Sequence, residues 1–263
     1  MQPQIPVTKR RLATGRSIFA LMLREMVTTY GRSPGGYIWA VLEPVAAISL
    51  LSFAFSIAFK QPPLGNNFPL FYATAYLPYM LFHDISGKIA TSIRFSKSLL
   101  GFSTVTWLDV IAARFLLNIM THLMVFVVVI GGMLVLFDTH AVLDLPLILS
   151  GLAMAAALAL GVGVMNAYLF LAFPAWERLW VVLTRPLFIV SGVFFLFEDL
   201  PEWVQDFLWF NPVFHVTGEM RRGFYPTYAG DYISSSFAYG TAIGLLALGL
   251  MLLSRNHDDL VHK

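Results

Sequence analysis

The chain has 263 residues, of which 58% are hydrophobic and 12% are charged, and its formal net charge is +2. Soluble domains carry roughly 25% charged residues, so this composition excludes a water-soluble globule and indicates an integral membrane protein. Cysteine is absent, which excludes disulfide frameworks and cysteine-ligated metal sites.

The first predicted element is an amphipathic helix over residues 16–30, which we expect to lie on the cytoplasmic surface of the bilayer as an interface helix. Its apolar face is formed by Phe19, Met22, Leu23, Met26, Val27 and Tyr30. Arg24 and Thr28 fall on the opposite face, and the basic residues 9–11 suit anionic headgroups. Glycine and proline residues within 31–36 then end the helix and let the chain turn sharply.

Six apolar stretches follow that are long enough to cross the hydrocarbon core, which takes about 20 residues. They cover residues 36–59, 68–87, 110–137, 145–173, 179–197 and 232–254. The segment 198–231 is too charged to span and too aromatic for a plain loop, so we expect short re-entrant or interfacial helices there. The predicted fold is an all-α integral membrane protein with one domain. Its parts are a tail with the interface helix (1–34), a six-helix membrane region (36–254) and a C-terminal tail (255–263).

Lysine and arginine are distributed unequally between the two sides of the predicted bundle. The side that includes both termini holds Lys9, Arg10, Arg11, Arg16, Arg24, Arg32, Lys88, Arg94, Lys97, Arg178, Arg255 and Lys263. The other side holds Lys60, Arg221 and Arg222. Twelve basic residues against three predict, by the positive-inside rule, that both termini are cytoplasmic.

Small residues recur every four positions in the fourth predicted span. They are Gly151, Ala155, Ala159, Gly163 and Ala167. This spacing places them on one helical stripe and predicts close approach of a neighbouring backbone. Gly240 and Gly244 repeat the pattern in the last span, and a flexible hinge is the alternative interpretation.

One carboxylate stands inside the first predicted span. Glu43 lies about two turns in, and a carboxylate near the centre of a span costs about 2.5–3.5 kcal/mol. A structural partner such as an arginine of another helix, a direct role in transport, and snorkelling towards the interface are three explanations. Trp39 lies at the depth where indoles anchor an interface.

Three stretches together resemble the permease subunit of ABC transporters that export capsular polysaccharides. They are the surface helix followed by "GRSPGGYIWAVLEP", the connection "KSLLGFSTVTWLDVIAAR" (97–114), and "SGVFFLFEDLPEWVQDFLWFNPVFHVTGEMRRGFY" (191–225). The chain has no G-x-x-x-x-G-K-[ST] sequence, so it lacks this phosphate-cradling loop of ATPases.

The resemblance implies a function and a set of partners. The chain would be the non-enzymatic permease of a bacterial inner-membrane exporter, working as a homodimer with two separate ABC ATPase subunits. ATP and Mg would bind to the ATPase, and this chain would bind no cofactor, metal or nucleic acid. The substrate would be an acidic, lipid-linked polysaccharide, and periplasmic and outer-membrane export proteins would be further partners.

The resemblance also indicates which residues couple to the ATPase. The connection 91–104 combines an apolar pair with a polar rim, which is typical of a docking element. The coupling residues would be Arg94, Lys97, Ser98, Leu99 and Leu100. The interface helix, represented by Arg24, Met26 and Tyr30, would be the second contact and would tilt the first span. A solvated loop is the alternative for 91–104.

The external segment 198–231 would form the outer gate. Candidates for the channel or the gate are Trp39, Glu43, Trp203, Phe207, Trp209, Phe210, Arg221 and Arg222. Interface anchoring or packing is the alternative for the aromatic residues, and snorkelling is the alternative for the two arginines. His215 and Glu219 are spaced i, i+4, but without a third ligand they do not predict a metal site.

Other functions remain open at this point. A related ABC permease would export an O-antigen, a teichoic acid or a small amphiphile. A membrane-embedded glycosyl- or acyltransferase would need a reactive cluster at the membrane face, whereas the six histidines are scattered. An ion-coupled transporter would need paired intramembrane acids or broken helices in repeated halves. Asp109 and Arg114 are expected to have partners on other helices.

Overall fold

The computed structural model describes residues 8–29, 35–100, 105–139 and 141–262, and within these ranges the chain forms eleven α-helices and no β-strand. The helices are α1 (Thr8–Thr29), α2 (Tyr37–Ala58), α3 (Phe68–Ala90), α4 (Ser92–Phe95), α5 (Lys97–Leu100), α6 (Trp107–Leu136), α7 (Leu145–Ala172), α8 (Pro174–Ile189), α9 (Glu202–Leu208), α10 (Pro212–Phe224) and α11 (Ser235–His262). Tyr30 and the predicted turn at 31–34 lie outside the described residues, as do the side chains of the basic residues 9–11.

Four helices are long and apolar enough to cross a membrane, namely α2, α6, α7 and the Ser235–Asn256 part of α11. The other helices of 16 residues or more, α1, α3 and α8, do not meet this criterion. Helix α3 has 23 residues but includes His83, Asp84 and Lys88. Helix α8 has only 16 residues, or about 24 Å, against a hydrocarbon core of about 30 Å. Six crossings therefore remain a prediction.

The bounds predicted for the fifth span, 179–197, are wrong. Helix α8 begins at Pro174 and ends at Ile189, and the backbone turns at Gly192, where φ is +75°. A glycine with positive φ just past a helix end is a common helix terminator, because other residues are strained in that conformation. A Cβ at this position would also come within 2.9 Å of the Phe214 ring.

Helix α7 lies in the centre of the bundle and packs against α3, α10 and α11. The predicted close approach along its small-residue stripe is confirmed, since a Cβ at Gly163 would lie 2.7 Å from Ile89 Cβ and one at Gly151 would lie 3.2 Å from Met220 N. No such approach is found at Gly240 and Gly244, where no described atom of the chain lies within 4 Å of a Cβ built there. Helix α11 approaches α7 through other residues, namely Ala242 against Gly161 and Gly249 against Met165.

Local capping fixes where several helices begin. Asn67 and Asp144 cap α3 and α7, and Asn211 accepts a hydrogen bond from the N–H of Val213 at 3.1 Å. Asp109 forms a capping box with Thr106 at the start of α6. The expectation that Asp109 has a partner on another helix is therefore wrong, because its carboxylate is used within its own first turn.

The connections separate into two groups at opposite ends of α6, a helix of 30 residues or about 45 Å. At one end, an ion pair joins Arg94 to Glu177, so the α3–α6 connection meets the start of α8. At the other end, the N–H of Asp144 donates to the carbonyl of Gly223 at 2.8 Å. The α6–α7 connection therefore meets α10, away from α4.

Candidate functional site

A group of charged contacts joins α1, α4, α6 and α8 at one end of the bundle. We call it the α4 junction and define it by Glu25, Arg94, Phe95, Arg114 and Glu177. Helix α4 has only four residues, so its position depends on side chains from longer helices. The α4 junction coincides with the segment that the sequence indicates as the docking element.

Arg114 is the central side chain of the α4 junction. Its Nε lies 3.2 Å from Glu25 Oε2 of α1, and its side chain is 7% exposed. Its Nη1 donates to the Lys88 carbonyl at 2.7 Å and to Thr91 Oγ1 at 3.2 Å. The guanidinium also stacks over Phe95, 4.4 Å from the ring centroid. The expectation that Arg114 has partners on other helices is confirmed.

Arg94 connects α4 to the first turn of α8. Its two terminal nitrogens donate to the two carboxylate oxygens of Glu177 at 2.6 and 2.7 Å, which is the bidentate arrangement. The Arg94 hydrogen bonds lower the pKa of Glu177, and the same contacts raise the pKa of Arg94. This internal partner was not predicted from the sequence, where Arg94 was expected only as a contact for the ATPase.

The remaining coupling candidates lie on α5 and are partly accessible. Lys97 and Ser98 are exposed, whereas Leu99 and Leu100 are half-buried. Phe95, which the sequence did not single out, leaves 51% of its surface exposed beside Arg114. The exposed apolar group at this end therefore includes an aromatic ring one helical turn before the predicted leucine pair.

The apolar residues of helix α1 fall into a half-buried group and an exposed group. Met22 and Met26 are half-buried, while Arg24 is exposed. Residues at i, i+4 and i+8 form an exposed apolar stripe, namely Phe19, Leu23 and Val27. The predicted apolar face of α1 is therefore only partly covered by the protein, and its exposed part is available to lipid.

At the other end of the bundle, the aromatic residues of the external segment differ in their surroundings. Trp203, Phe207 and Phe210 are exposed by 76%, 78% and 69%. Trp209 instead donates from Nε1 to the Tyr232 carbonyl at 3.1 Å, and its own carbonyl lies 2.8 Å from His215 Nε2. Trp209 is thus a packing residue in this chain, whereas the other three present their rings outward.

Arg221 and Arg222 are adjacent in sequence but have opposite environments. Arg221 is fully buried, lies 4.4 Å above the Phe71 ring and donates to the carbonyls of Phe195 and Val193 at 3.0 and 3.4 Å. Snorkelling is therefore the wrong interpretation for Arg221. Arg222 is partly exposed and pairs at 3.3 Å with Glu219, one turn earlier on α10.

Trp39 and Glu43 line a cavity between α2, α3 and α6. Within the described part of the chain, no Lys, Arg or His nitrogen lies within the 4.0 Å limit of an ion pair to Glu43. The arginine partner expected for Glu43 is therefore not found there. A channel role for these and the other gate candidates remains a prediction.

The fold defines the class of protein: a helical membrane protein in which a short helix, α4, is tied to longer helices by side-chain contacts. Residues 16–225 match the family described as ABC-2 type transporter, and the chain belongs to this family. The resemblance identified in the sequence is thereby confirmed.

Relatives of known name cover nearly the whole chain. The polysialic acid transport protein KpsM of Escherichia coli is 25% identical over 93% of this chain and 95% of its own. The capsule polysaccharide export inner-membrane protein CtrC of Neisseria meningitidis is 28% identical, over 91% of each chain. The corresponding protein BexB of Haemophilus influenzae is 29% identical, over 91% of this chain and 90% of its own.

Proposed function

We propose that this chain is the membrane subunit of an ATP-driven exporter that moves a capsular polysaccharide across the bacterial inner membrane. Membership of the ABC-2 type transporter family and the names of three relatives, each matched over at least 90% of its length, support the proposal. The chain would act as a homodimer with two copies of a separate ATPase subunit that binds ATP and Mg. The substrate would be acidic and lipid-linked, and both termini would be cytoplasmic.

The proposed coupling between the ATPase and the membrane helices is based on the contacts of the α4 junction. An ATPase that docks on α4 and α5 would contact a segment that is joined directly to α8 and α6, and through α6 to α1. Movement of α4 would pass to α8 through Arg94 and Glu177. It would pass to α6 and α1 through Arg114, because this side chain contacts both Phe95 and Glu25.

This route differs from the one that the sequence indicates. The sequence predicts that the interface helix tilts the first span, whereas α1 is bonded through Glu25 to α6. In the proposed mechanism, α1 therefore holds α6 at the membrane surface while α4 moves α8. The pathway for the glycan would open between two copies of the chain, with the external segment as the outer gate.

The proposed function is tested by deleting the gene and following the polysaccharide. We expect the glycan to accumulate in the cytoplasm and to disappear from the cell surface, and the intact chain to restore export. Accumulation of an O-antigen, a teichoic acid or a small amphiphile instead would assign the related export function. Normal surface polysaccharide in the deletion strain would overturn the proposal.

A second experiment tests the docking segment. Leu99→Asp places a carboxylate in the half-buried apolar pair of α5 and is expected to abolish co-purification of the ATPase while the chain still inserts. Leu143→Asp, an exposed leucine in the connection at the other end, is the matched control and is expected to leave co-purification intact. Unchanged co-purification of the Leu99 variant would contradict docking at this segment.

A further inference from the structure

The cavity between α2, α3 and α6 has a volume of about 260 Å³ and combines charged and apolar walls. Its ionisable side chains come from all three helices, namely Glu43, Asp84, Lys88 and His122. Its apolar wall includes Trp39, Pro44, Leu77, Met80 and Val125. The volume lies just below the range of about 300–1,000 Å³ for small-molecule sites, so it suits a single ring-sized group.

Some polar side chains of the cavity already have partners within the chain, and others do not. Lys88 Nζ donates to Asn118 Oδ1 at 2.7 Å, and His122 Nε2 lies 3.4 Å from Asp84 Oδ2. Thr121 donates its hydroxyl hydrogen to the Leu117 carbonyl, so its oxygen is left as an acceptor. Glu43 lines the cavity, is exposed and has no ion pair within the described residues.

The polar groups of the cavity that could still bind a ligand are therefore mainly hydrogen-bond acceptors. A carboxylate accepts through two oxygens and donates nothing. A bound group must supply O–H or N–H donors, and a phosphate would face two carboxylates against one ammonium. This balance favours a neutral, hydroxyl-rich ligand over an anionic one.

Trp39 gives the cavity an aromatic wall next to these acceptors. Its indole packs against Gly35, where a Cβ would lie 3.1 Å from Nε1 and where φ is +98°. The indole is 56% exposed, so part of its face is accessible. An aromatic face stacks on the C–H face of a sugar ring, while a neighbouring carboxylate accepts from the ring hydroxyls.

We propose that this cavity binds one neutral sugar unit, with Trp39 against the ring and Glu43 accepting from a hydroxyl. The proposal rests on the proposed function, because the sugar would be an uncharged unit of the exported acidic glycan. The cavity adjoins the α4 junction, since Lys88 lines the cavity and its carbonyl accepts a hydrogen bond from Arg114. A sugar bound there lies beside the contacts that would move during transport.

The test measures binding rather than export. The full chain with its ATPase is placed in nanodiscs, and radiolabelled octyl β-glucoside is added below its micelle concentration. We expect saturable binding that falls at least about tenfold in Glu43→Gln and in Trp39→Ala, because each removes a principal contact. Phe137→Ala removes an aromatic residue that is also exposed, at the far end of α6, and is expected to leave binding unchanged.

Conservative variants guard against misfolding. Glu43→Asp keeps the carboxylate and Trp39→Phe keeps an aromatic ring, and both are expected to retain most of the binding of the unaltered chain. Each variant is used only if it co-purifies with the ATPase as a single species. Equal loss in all variants, or no saturable binding above empty nanodiscs, would overturn the proposal.

Octyl phosphocholine distinguishes a sugar site from a lipid headgroup site. We expect it to compete at least tenfold more weakly than octyl β-glucoside, and equal competition would overturn the assignment to a sugar. The proposed function and the sugar site can be disproved independently of each other. Normal capsule in the deletion strain removes the proposed function, whereas intact export with no glucoside binding removes only this site.

Discussion

Two regions of the molecule, the α4 junction and the external helix α10, hold neighbouring elements together by different contacts. At the α4 junction, helices of separate parts of the chain are joined by a few charged side chains, one of which, Arg94, is 55% exposed. Almost every residue of α10 is buried against α3, α7 and α11. Its only fully buried arginine is held by carbonyls and a ring rather than by an acid.

The difference indicates where the fold can change shape at low cost. Exposed ion pairs contribute up to about 1 kcal/mol and can be exchanged for water or for a partner's side chains. A helix buried on most of its surface cannot move alone, because its apolar contacts would be lost together. We therefore expect movement to begin at the α4 junction and the external segment to move as one body.

The largest effect on stability is expected from Arg221→Ala in α10. The change leaves two backbone carbonyls without their donors and opens a cavity, and we expect a loss of about 4 kcal/mol in the free energy of unfolding. The thermal unfolding midpoint of the purified protein measures it. Arg222→Ala, beside it in sequence but partly exposed, should change the midpoint little; equal effects would contradict the packed arrangement.

Arg114→Ala is expected to have the next largest effect, about 3 kcal/mol. Removing one partner of a buried pair leaves the other charge uncompensated, in this case Glu25, whose side chain is 13% exposed. We expect α1 to become sensitive to protease and export to fail. Arg24→Ala, which changes an exposed arginine of α1, is the control for protease sensitivity. Full protease resistance and full export in the Arg114 variant would show that α1 is held by other contacts.

A charge exchange tests whether the Arg94–Glu177 contact matters for transport. Arg94→Glu alone places two carboxylates together and is expected to reduce export, although the stability effect should stay near or below about 1 kcal/mol. The double variant Arg94→Glu with Glu177→Arg restores the pair and should restore most of the export. Failure of the exchange, with the ATPase still bound, would mean that Arg94 acts through the ATPase and not through α8.

The smallest expected effect is a pH dependence of the same pair. The pKa of Glu177 is lowered in the folded chain from its usual value of 4.5. The stabilisation is therefore complete above about pH 4.5 and is lost as the pH falls through the lowered value. The distance between spin labels at Ser98 and Arg178 should increase below that pH. Glu177→Gln should remove the dependence, and an unchanged distance at low pH in the unaltered chain would contradict it.

Several features were predictable because they depend on neighbouring residues. Apolar stretches predicted the positions of the four helices long enough to cross a membrane, and the small residues of α7 predicted its close packing. Family membership was also predictable, because the three quoted stretches lie in order along the chain. Asp109 was wrongly expected to reach another helix, although Thr106 and Asp109 have the spacing of a capping box.

The sequence could not show which residues pair with Arg94 and Arg114, because the partners are distant along the chain. Arg94 and Glu177 are 83 positions apart, and Arg114 and Glu25 are 89 positions apart. No local pattern distinguishes a buried Arg221 from a partly exposed Arg222. Gly240 and Gly244 had the same spacing as the packed glycines of α7, yet no described residue packs on them.

The sequence by itself determined that the chain is a helical membrane protein, where its long helices lie and to which family it belongs. Hydrophobic length and helix caps are properties of a few consecutive residues, so they can be read without a fold. Only the tertiary structure decided which charges are buried, which helices α4 is tied to and which side chains enclose the cavity at Glu43. Those properties depend on how the helices rotate and pack against each other, and that rotation is set by the sum of many contacts between distant residues.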